Sequence, residues 1–322
     1  GVVLIGGCDK NIPAQLMAAV SANKPTIYLP GGAMLPGNYK GKTLACGTDS
    51  FYLYNDYTSG KISLEEMTKH EGCLYGSAGA CPIMGTANTC QTVTEALGIA
   101  LPNSASCLGV SAEKLRISEE TGRKAVELVN KNIKCLDIIN EKSVENAIRV
   151  LMATGGSTNL IIHLIAFARR ANIDLTLDDF ERISKETPVL VNVKPHGTEN
   201  VGMGFHNAGG VASLMKEMEH MLNGECLTVS GKTVSENLKE IDMPYDKNTI
   251  RPLDNPIEEK GGIAVLYGNL APNGAVIKRS AASTRLLKHR GPAKVFENLT
   301  ECQKYLLDEN SDITPDTVIV LR

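Results

Sequence analysis

The chain has 322 residues, 43% of them hydrophobic and 21% charged, with a formal net charge of −3. That length suffices for one large or two ordinary domains with a sizeable core. The acidic balance, the absence of Trp and the 4% aromatic content speak against a nucleic-acid partner or a membrane surface, which want a basic face or stacking rings.

No apolar stretch approaches the ~18 residues of a membrane span. Nine cysteines lie at 8, 46, 73, 81, 90, 107, 135, 226 and 302, an odd and scattered set without a Cys-x-x-Cys pair. The pattern predicts no disulfide framework and a reducing compartment, so a cytoplasmic location is expected, or a mitochondrial one if a transit peptide lies upstream. Zinc ribbons and ferredoxin-type runs are excluded by the spacing.

The chain opens on an apolar run, residues 2–5, read as a short buried strand. A helix over 12–22 follows, with Pro13 suited to a first turn. Residues 26–29 are the next strand. Residues 31–60 read as a long functional loop and 63–70 as helical. The Gly-rich stretch 72–85 leads into a helix whose apolar positions Val93, Ala96, Leu97 and Ala100 repeat with helical spacing, closed by Pro102. Further helices are predicted over 119–132, 143–153 with Ser143 as N-cap, 160–171, 177–185 and 210–222, with a strand over 189–193.

After Gly224 the texture changes. Short β-like runs at 226–229, 263–266, 275–277, 294–296 and 318–321 are separated by Gly, Pro and Asn turns. The expected architecture is an α/β domain over 1–224 built on a parallel sheet, followed by part of a β-barrel over 225–322. Both termini run into predicted strands, so the chain is expected to be an internal segment of a longer polypeptide.

Three constellations carry chemistry. Gly6-Gly7-Cys8-Asp9-Lys10-Asn11-Ile12-Pro13 sits just past the first strand, where open α/β sheets build their sites. A soft sulfur, a hard oxygen and an ionisable amine in consecutive positions suggest more than one metal centre. The second, 79–89, contains Cys81, Thr86, Ala87 and Asn88 and opens a helix. The third, Gly155-Gly156-Ser157-Thr158-Asn159, opens another. A helix N-terminus offers free N–H groups to an anion, although Thr86, Asn88, Ser157 and Thr158 equally suit simple helix caps. The third stretch lacks the Lys of a nucleotide P-loop.

These stretches, in this order, resemble the family of dihydroxy-acid, sugar-acid and phosphogluconate dehydratases. The resemblance extends through Leu190-Val191-Asn192-Val193-Lys194-Pro195, Gly209-Gly210-Val211 and Leu227-Thr228-Val229-Ser230-Gly231-Lys232-Thr233. It continues through 268–275 and His289-Arg290-Gly291-Pro292-Ala293, so it covers essentially the whole chain.

The resemblance implies an iron–sulfur hydro-lyase that turns a 2,3-dihydroxy acid into a 2-keto acid. Cys8 and Cys81 would ligate the cluster, [2Fe–2S] by analogy with the sugar-acid branch, or [4Fe–4S]. Asp9 and a carboxylated Lys10 would bind Mg²⁺, with Thr86, Ser157 and Thr158 near the substrate. An unmodified Lys10 would be a poor Mg²⁺ ligand, being protonated near neutral pH, and would instead pair with a carboxylate. Cys46, Cys73 and Cys90 are read as packing thiols. The resemblance further implies a swivel-like barrel and a homodimer or homotetramer.

The family's further cluster Cys, its remaining acidic Mg²⁺ ligands and its Ser base have no counterpart here. The segment alone is therefore expected to be inactive, its base lying in a missing C-terminal part. Pro82-Ile83-Met84-Gly85 is closer to the sugar-acid branch, so a pentonate or hexonate is the expected substrate. The alternatives are a branched-chain dihydroxy acid, a truncated non-catalytic paralogue, or an enzyme using Cys8 as nucleophile with His70 or His163 as base. For His163, within an apolar helix, a satisfied core or interface histidine is the expected role.

Overall fold

The computed structural model describes residues 1–45, 47–199, 201–308 and 310–322. Strand β1 (Val2–Gly6) pairs in parallel with β2 (Thr26–Pro30), and α1 (Asn11–Ala22) makes the crossover. β2 is buried throughout, rich in the β-branched and aromatic residues that fill a sheet centre. β1 is not the buried strand its apolar run suggests. It has a hydrogen-bonded neighbour on one side only, and Val2, Val3 and Ile5 are exposed, Ile5 at 61%.

The expected loop after residue 31 holds more structure than its Gly and Tyr content indicated. A hairpin pairs β3 (Gly37–Tyr39) with β4 (Lys42–Leu44), and α2 (Thr48–Thr58) and α3 (Leu64–Glu71) follow. Leu44, Leu53 and Leu74 form a small core of their own, with Cys73 packed against it.

The main core surrounds α4 (Thr86–Ala96), in which every residue from Asn88 onward is buried. It packs against α1, α7 (Glu141–Ala153), α8 (Asn159–Arg170) and α10 (Gly210–Glu217). The helix stops before Ala100 despite that residue's helical spacing. Gly98 takes a positive φ of 80°, a conformation glycine adopts without strain, and Ala100 then bridges in parallel to Tyr28 of β2.

Two other helices begin earlier than their sequence pattern indicated. α5 (Ala112–Asn130) starts where the Ser111 hydroxyl accepts the Lys114 N–H. α7 is capped by Asn140, with Ser143 as the reciprocal member of a capping box. Short α6 (Cys135–Ile138), α9 (Leu177–Glu186), a π-helical turn (Val201–Phe205) and α11 (Val234–Leu238) complete the helical set of this region. Residues 189–193 make isolated bridges to Glu258, Ile250 and Glu199 rather than a strand.

The chain divides into two compact units, Gly1–Ser280 and Ala281–Arg322. The first ends with the antiparallel pair β5 (Ile263–Leu266) and β6 (Ala275–Lys278). The second pairs β7 (Ala293–Phe296) in parallel with β8 (Val318–Leu321) around α12 (Leu299–Leu306). The architecture is mixed α/β. Every sheet among the described residues is two-stranded and none closes into a barrel, because each pair leaves open edges. Residues 226–229 contribute one bridge, Leu227 to Thr233, instead of a strand. No described helix is long and apolar enough to cross a membrane.

Glu95 fastens the core helix to the chain that follows it. Its carboxylate accepts the N–H groups of Asn103 at 2.9 Å and Ala105 at 3.0 Å. Burial pushes its pKa up to about 7, against the pull of those N–H groups and of Lys114. The folded chain thus holds this proton more tightly than the unfolded chain, whose Glu titrates near ~4.3. The stabilising contribution is complete below that value and is lost as the pH rises toward 7. Glu95→Gln is expected to flatten the fall in urea midpoint between about pH 4.5 and 7. An unchanged slope in the variant would disprove the assignment.

Candidate active site

The Cys8-Asp9-Lys10 turn leaves the end of β1 and leads directly into α1. The Cys8 N–H donates to Asn11 Oδ1 at 3.1 Å, and its thiol donates to Asp9 Oδ1 at 3.4 Å. Lys10 Nζ lies 3.9 Å from the other Asp9 oxygen, at a side chain that is 73% exposed. A surface pair of this length contributes little to stability, on the order of 0–1 kcal/mol. The three side chains face solvent together, which leaves their donor atoms accessible.

Cys81 reaches the same corner from a different segment. Beyond β2 the chain continues extended through Ala33, which bridges in parallel to Ala80 on one side and to Leu108 on the other. The Met34 N–H donates to the Ala80 carbonyl at 2.7 Å, and the Ala80 N–H to the Gly32 carbonyl at 2.9 Å. Gly7 and Gly31 allow the turn and this ladder to meet. A Cβ built on Gly7 would stand 3.5 Å from the Gly31 Cα and 4.0 Å from the Ala80 Cβ. Gly7 and Ala80, the residues that precede Cys8 and Cys81, therefore lie on neighbouring segments, with room between them only for a Cβ at ordinary contact distance. Gly79 has a φ of 139°, and a Cβ there would come within 2.5 Å of the Met34 nitrogen, so the segment entering Cys81 requires glycine.

A buried amide chain holds the Cys81 loop to the core helix. The Asn88 side-chain amide donates to the carbonyls of Cys81 and Ile83, the latter at 2.7 Å. Its Oδ1 accepts from Gln91 Nε2 at 2.8 Å, and Gln91 Oε1 accepts the Gly32 N–H at 2.7 Å. The loop is further fixed by the Met84 N–H donating to the Lys194 carbonyl and the Val201 N–H donating to the Pro82 carbonyl. Sequence reasoning placed Asn88 as a possible cap and passed over Gln91. No sequence signal marked them, since α4 is rich in Thr, Asn, Gln and Glu and its burial comes from tertiary packing.

Thr86 and Ser157 are brought together, their hydroxyl oxygens 2.9 Å apart. Asn159 joins them, its Nδ2 donating to Thr86 Oγ1 at 2.9 Å. The Thr89 hydroxyl donates back to the Gly85 carbonyl and accepts the Ser157 N–H, locking the two helix openings to each other. Thr158 takes the N-cap position of α8 without a side-chain cap bond.

Cys90 and His163, one turn further along α4 and α8, adjoin the Cys8-Asp9-Lys10 turn. The Cys90 thiol lies 4.0 Å from the Asp9 carbonyl oxygen. Cys90 and His163 line one narrow apolar gap together with Ile12 and Pro13 of α1. Burial pushes the Cys90 thiol up to about 12, with the Asp9 charge adding to the rise, so it stays protonated and packs as a small apolar group.

Within this chain His163 is not a satisfied core histidine. Its Nε2 is buried and finds no hydrogen-bond partner among the described residues. Burial, then the Lys10 charge, lowers its pKa. His70 stacks on Tyr39 with ring centroids 4.4 Å apart, within the small core. Cys46 lies outside the described residues.

One cluster lies outside anything the sequence pattern singled out. Cys107, Glu113 and His206 place one donor atom each within 4.8 Å of one another.

Comparison with known proteins covers the chain over its full length. Residues 1–237 match the family model described as dihydroxy-acid/6-phosphogluconate dehydratase N-terminal, and residues 248–322 match its C-terminal counterpart. A dihydroxy-acid dehydratase of Sulfurisphaera tokodaii is 43% identical over 326 residues, covering 100% of this chain and 57% of that protein. Proteins of the same name from Polynucleobacter asymbioticus and Prochlorococcus marinus strain MIT 9211 are 41% and 42% identical, covering all of this chain and 57% and 58% of theirs. The chain therefore spans a little over half the length of these curated relatives.

Proposed function

This chain belongs to the dihydroxy-acid/6-phosphogluconate dehydratase family, and on that premise we propose that it supplies the cluster- and metal-holding part of a hydro-lyase that dehydrates a 2,3-dihydroxy carboxylic acid. The reading rests on one observation above the rest. The Cys8-Asp9-Lys10 turn and the Cys81 segment meet at Gly7, Gly31 and Ala80. Thiols and a carboxylate on adjoining loops make a donor set of soft sulfur beside hard oxygen, which suits two different metal centres.

Cys8 and Cys81 would hold an iron–sulfur cluster, [2Fe–2S] in preference to [4Fe–4S], and Asp9 with a carboxylated Lys10 would hold Mg²⁺. When bound, these groups supply Lewis acidity toward the departing 3-hydroxyl and toward the charge that develops as the C2 proton leaves. The chain's own groups bind and orient. The openings of α4 and α8 favour a carboxylate, and Thr86, Ser157, Thr158 and Asn159 offer hydroxyl and amide partners to substrate oxygens. His163 and Cys90 back the metal-binding turn with an apolar wall that keeps water from its inner side. The proton acceptor at C2 is proposed to lie outside these 322 residues.

The polar Thr86–Ser157–Asn159 group favours a polyhydroxylated sugar acid such as a pentonate or hexonate. The name of the relatives, dihydroxy-acid dehydratase, favours a second reading in which the substrate is a branched-chain dihydroxy acid. Residues 225–322 are proposed to supply part of a swivel-like barrel, and the assembly to be a homodimer or homotetramer in the cytoplasm with no nucleic-acid or membrane partner.

The test is direct. The natural polypeptide carrying this chain, purified without oxygen, is expected to release a 2-keto acid from a pentonate with at least about tenfold higher kcat/KM than from 2,3-dihydroxy-3-methylbutanoate. That ratio corresponds to ~1.4 kcal/mol of transition-state discrimination. A reversed ratio selects the second reading. No 2-keto acid from either acid, in protein loaded with iron and Mg²⁺, would overturn both.

A further inference from the structure

We propose that Cys107, Glu113 and His206 form a second metal site that takes Zn²⁺, or a cation of the same borderline class, and that it shares no residue with the Cys8–Cys81 corner. The three donor atoms lie within 4.8 Å of one another, and His206 Nε2 is 3.0 Å from Glu113 Oε2. One thiol, one imidazole and one carboxylate are the donor types that tetrahedral zinc takes from proteins. Mg²⁺ and Ca²⁺ select oxygen donors, so this mixture discriminates against them.

The local structure is built around these side chains. Cys107 is 0% exposed and lies four residues before Ser111, the cap of α5, and Glu113 sits in the first turn of that helix. The Ser111 hydroxyl, which donates to the Leu108 carbonyl at 2.9 Å, lies 3.2 Å from Cys107 Sγ and holds the sulfur in place. His206 follows the π-helical turn, an uncommon geometry that recurs at functional sites. That turn is pressed against the residue after Cys107, since a Cβ on Gly202 would come within 2.3 Å of Leu108 Cδ2. Glu113 and His206 are partly exposed, so three protein donors leave a fourth position facing solvent.

Burial raises the Cys107 thiol, while Ser111 and Lys114 pull it back. A bound dication supplies the charge that makes the thiolate the resident form, with release of a proton. Leu108 and Ala80 bridge to Ala33 from its two sides, so Cys107 and Cys81 belong to segments flanking the same extended stretch. A cation held there would tie the start of α5 to the turn that carries His206.

The experiment uses this chain with Cys8→Ser and Cys81→Ser in place, which removes the two thiols of the proposed cluster site. Dialysed against Zn²⁺ and then against metal-free buffer, it is expected to keep one equivalent. With Co²⁺ instead, it is expected to show thiolate-to-cobalt charge-transfer absorption. Cys107→Ser and, separately, His206→Gln should each weaken zinc binding on the order of 100-fold with unchanged circular dichroism. His206→Gln keeps the test informative if the buried cysteine variant folds poorly. Failure to retain zinc, an equivalent that survives His206→Gln, or displacement of zinc by Mg²⁺ at comparable concentration would each overturn the proposal. None of these results depends on the dehydratase reading.

Discussion

Cys8→Ser is expected to abolish bound iron and to lower turnover by at least ~10³-fold while leaving the fold intact, and Cys81→Ser should do the same. A serine hydroxyl does not replace a thiolate on the proposed cluster, and without that cluster the Lewis acidity proposed for the reaction is lost. The Cys8 side chain is exposed and makes only a long thiol contact to Asp9, so its loss should cost less than about 0.5 kcal/mol of stability. Cys90 provides the control. Its thiol is buried among Ile12, Leu16, Val93 and Phe167, and serine there places a hydroxyl in an apolar wall. That change should destabilise the fold by roughly 1–3 kcal/mol and leave the iron in place. The readouts are iron content, visible absorption and urea midpoint on the same samples. Iron retained at wild-type level in Cys8→Ser would remove the basis of the proposed function.

What could be read from the sequence was what lies close together in it. Cys8, Asp9 and Lys10 are adjacent, so their clustering needs no knowledge of the fold. Thr86 and Ser157 were readable for another reason, since each opens a helix behind glycines, a local signature of exposed N–H groups. That their hydroxyls would meet was not readable, because it depends on how α4 and α8 pack. Cys107, Glu113 and His206 were less accessible still. Their spacing matches no metal-binding pattern, and His206 arrives by a π-helical turn that periodicity does not announce.

The fold shows the same division. The helices with a strong apolar stripe were found, with errors at their ends where a cap residue outside the stripe decides the boundary, as Asn140 and Ser111 do. The β-like runs after Gly224 were short apolar segments, and such segments do not declare their partners. Pairing is a long-range property, and here it yields separate two-stranded pairs.

Asn88→Ala is expected to be the most damaging single change at the site that touches no proposed ligand atom. Asn88 is 1% exposed and holds three bonds at once, to the carbonyls of Cys81 and Ile83 and to Gln91. Truncation strands two carbonyl oxygens at a part-buried site and the buried Gln91 amide, and frees Gln91 to release the Gly32 N–H. Each buried group left unpaired costs about 1–3 kcal/mol, and because they form one network the losses do not simply add, so a total of about 3–5 kcal/mol is expected. Asn88→Asp should be worse, since it aims a carboxylate at two carbonyl oxygens and buries an unpaired charge. Thr86→Ala removes a partly exposed hydroxyl beside Ser157 and should stay within about 1 kcal/mol of the parent. Urea unfolding at constant m value separates these cases, and iron retention follows in parallel, because the Cys81 loop loses its anchor while its thiol is untouched. If Asn88→Ala unfolds within 1 kcal/mol of the parent and keeps its iron, the amide chain does not position Cys81, and the loop must be held by its contacts to Lys194 and Val201 instead.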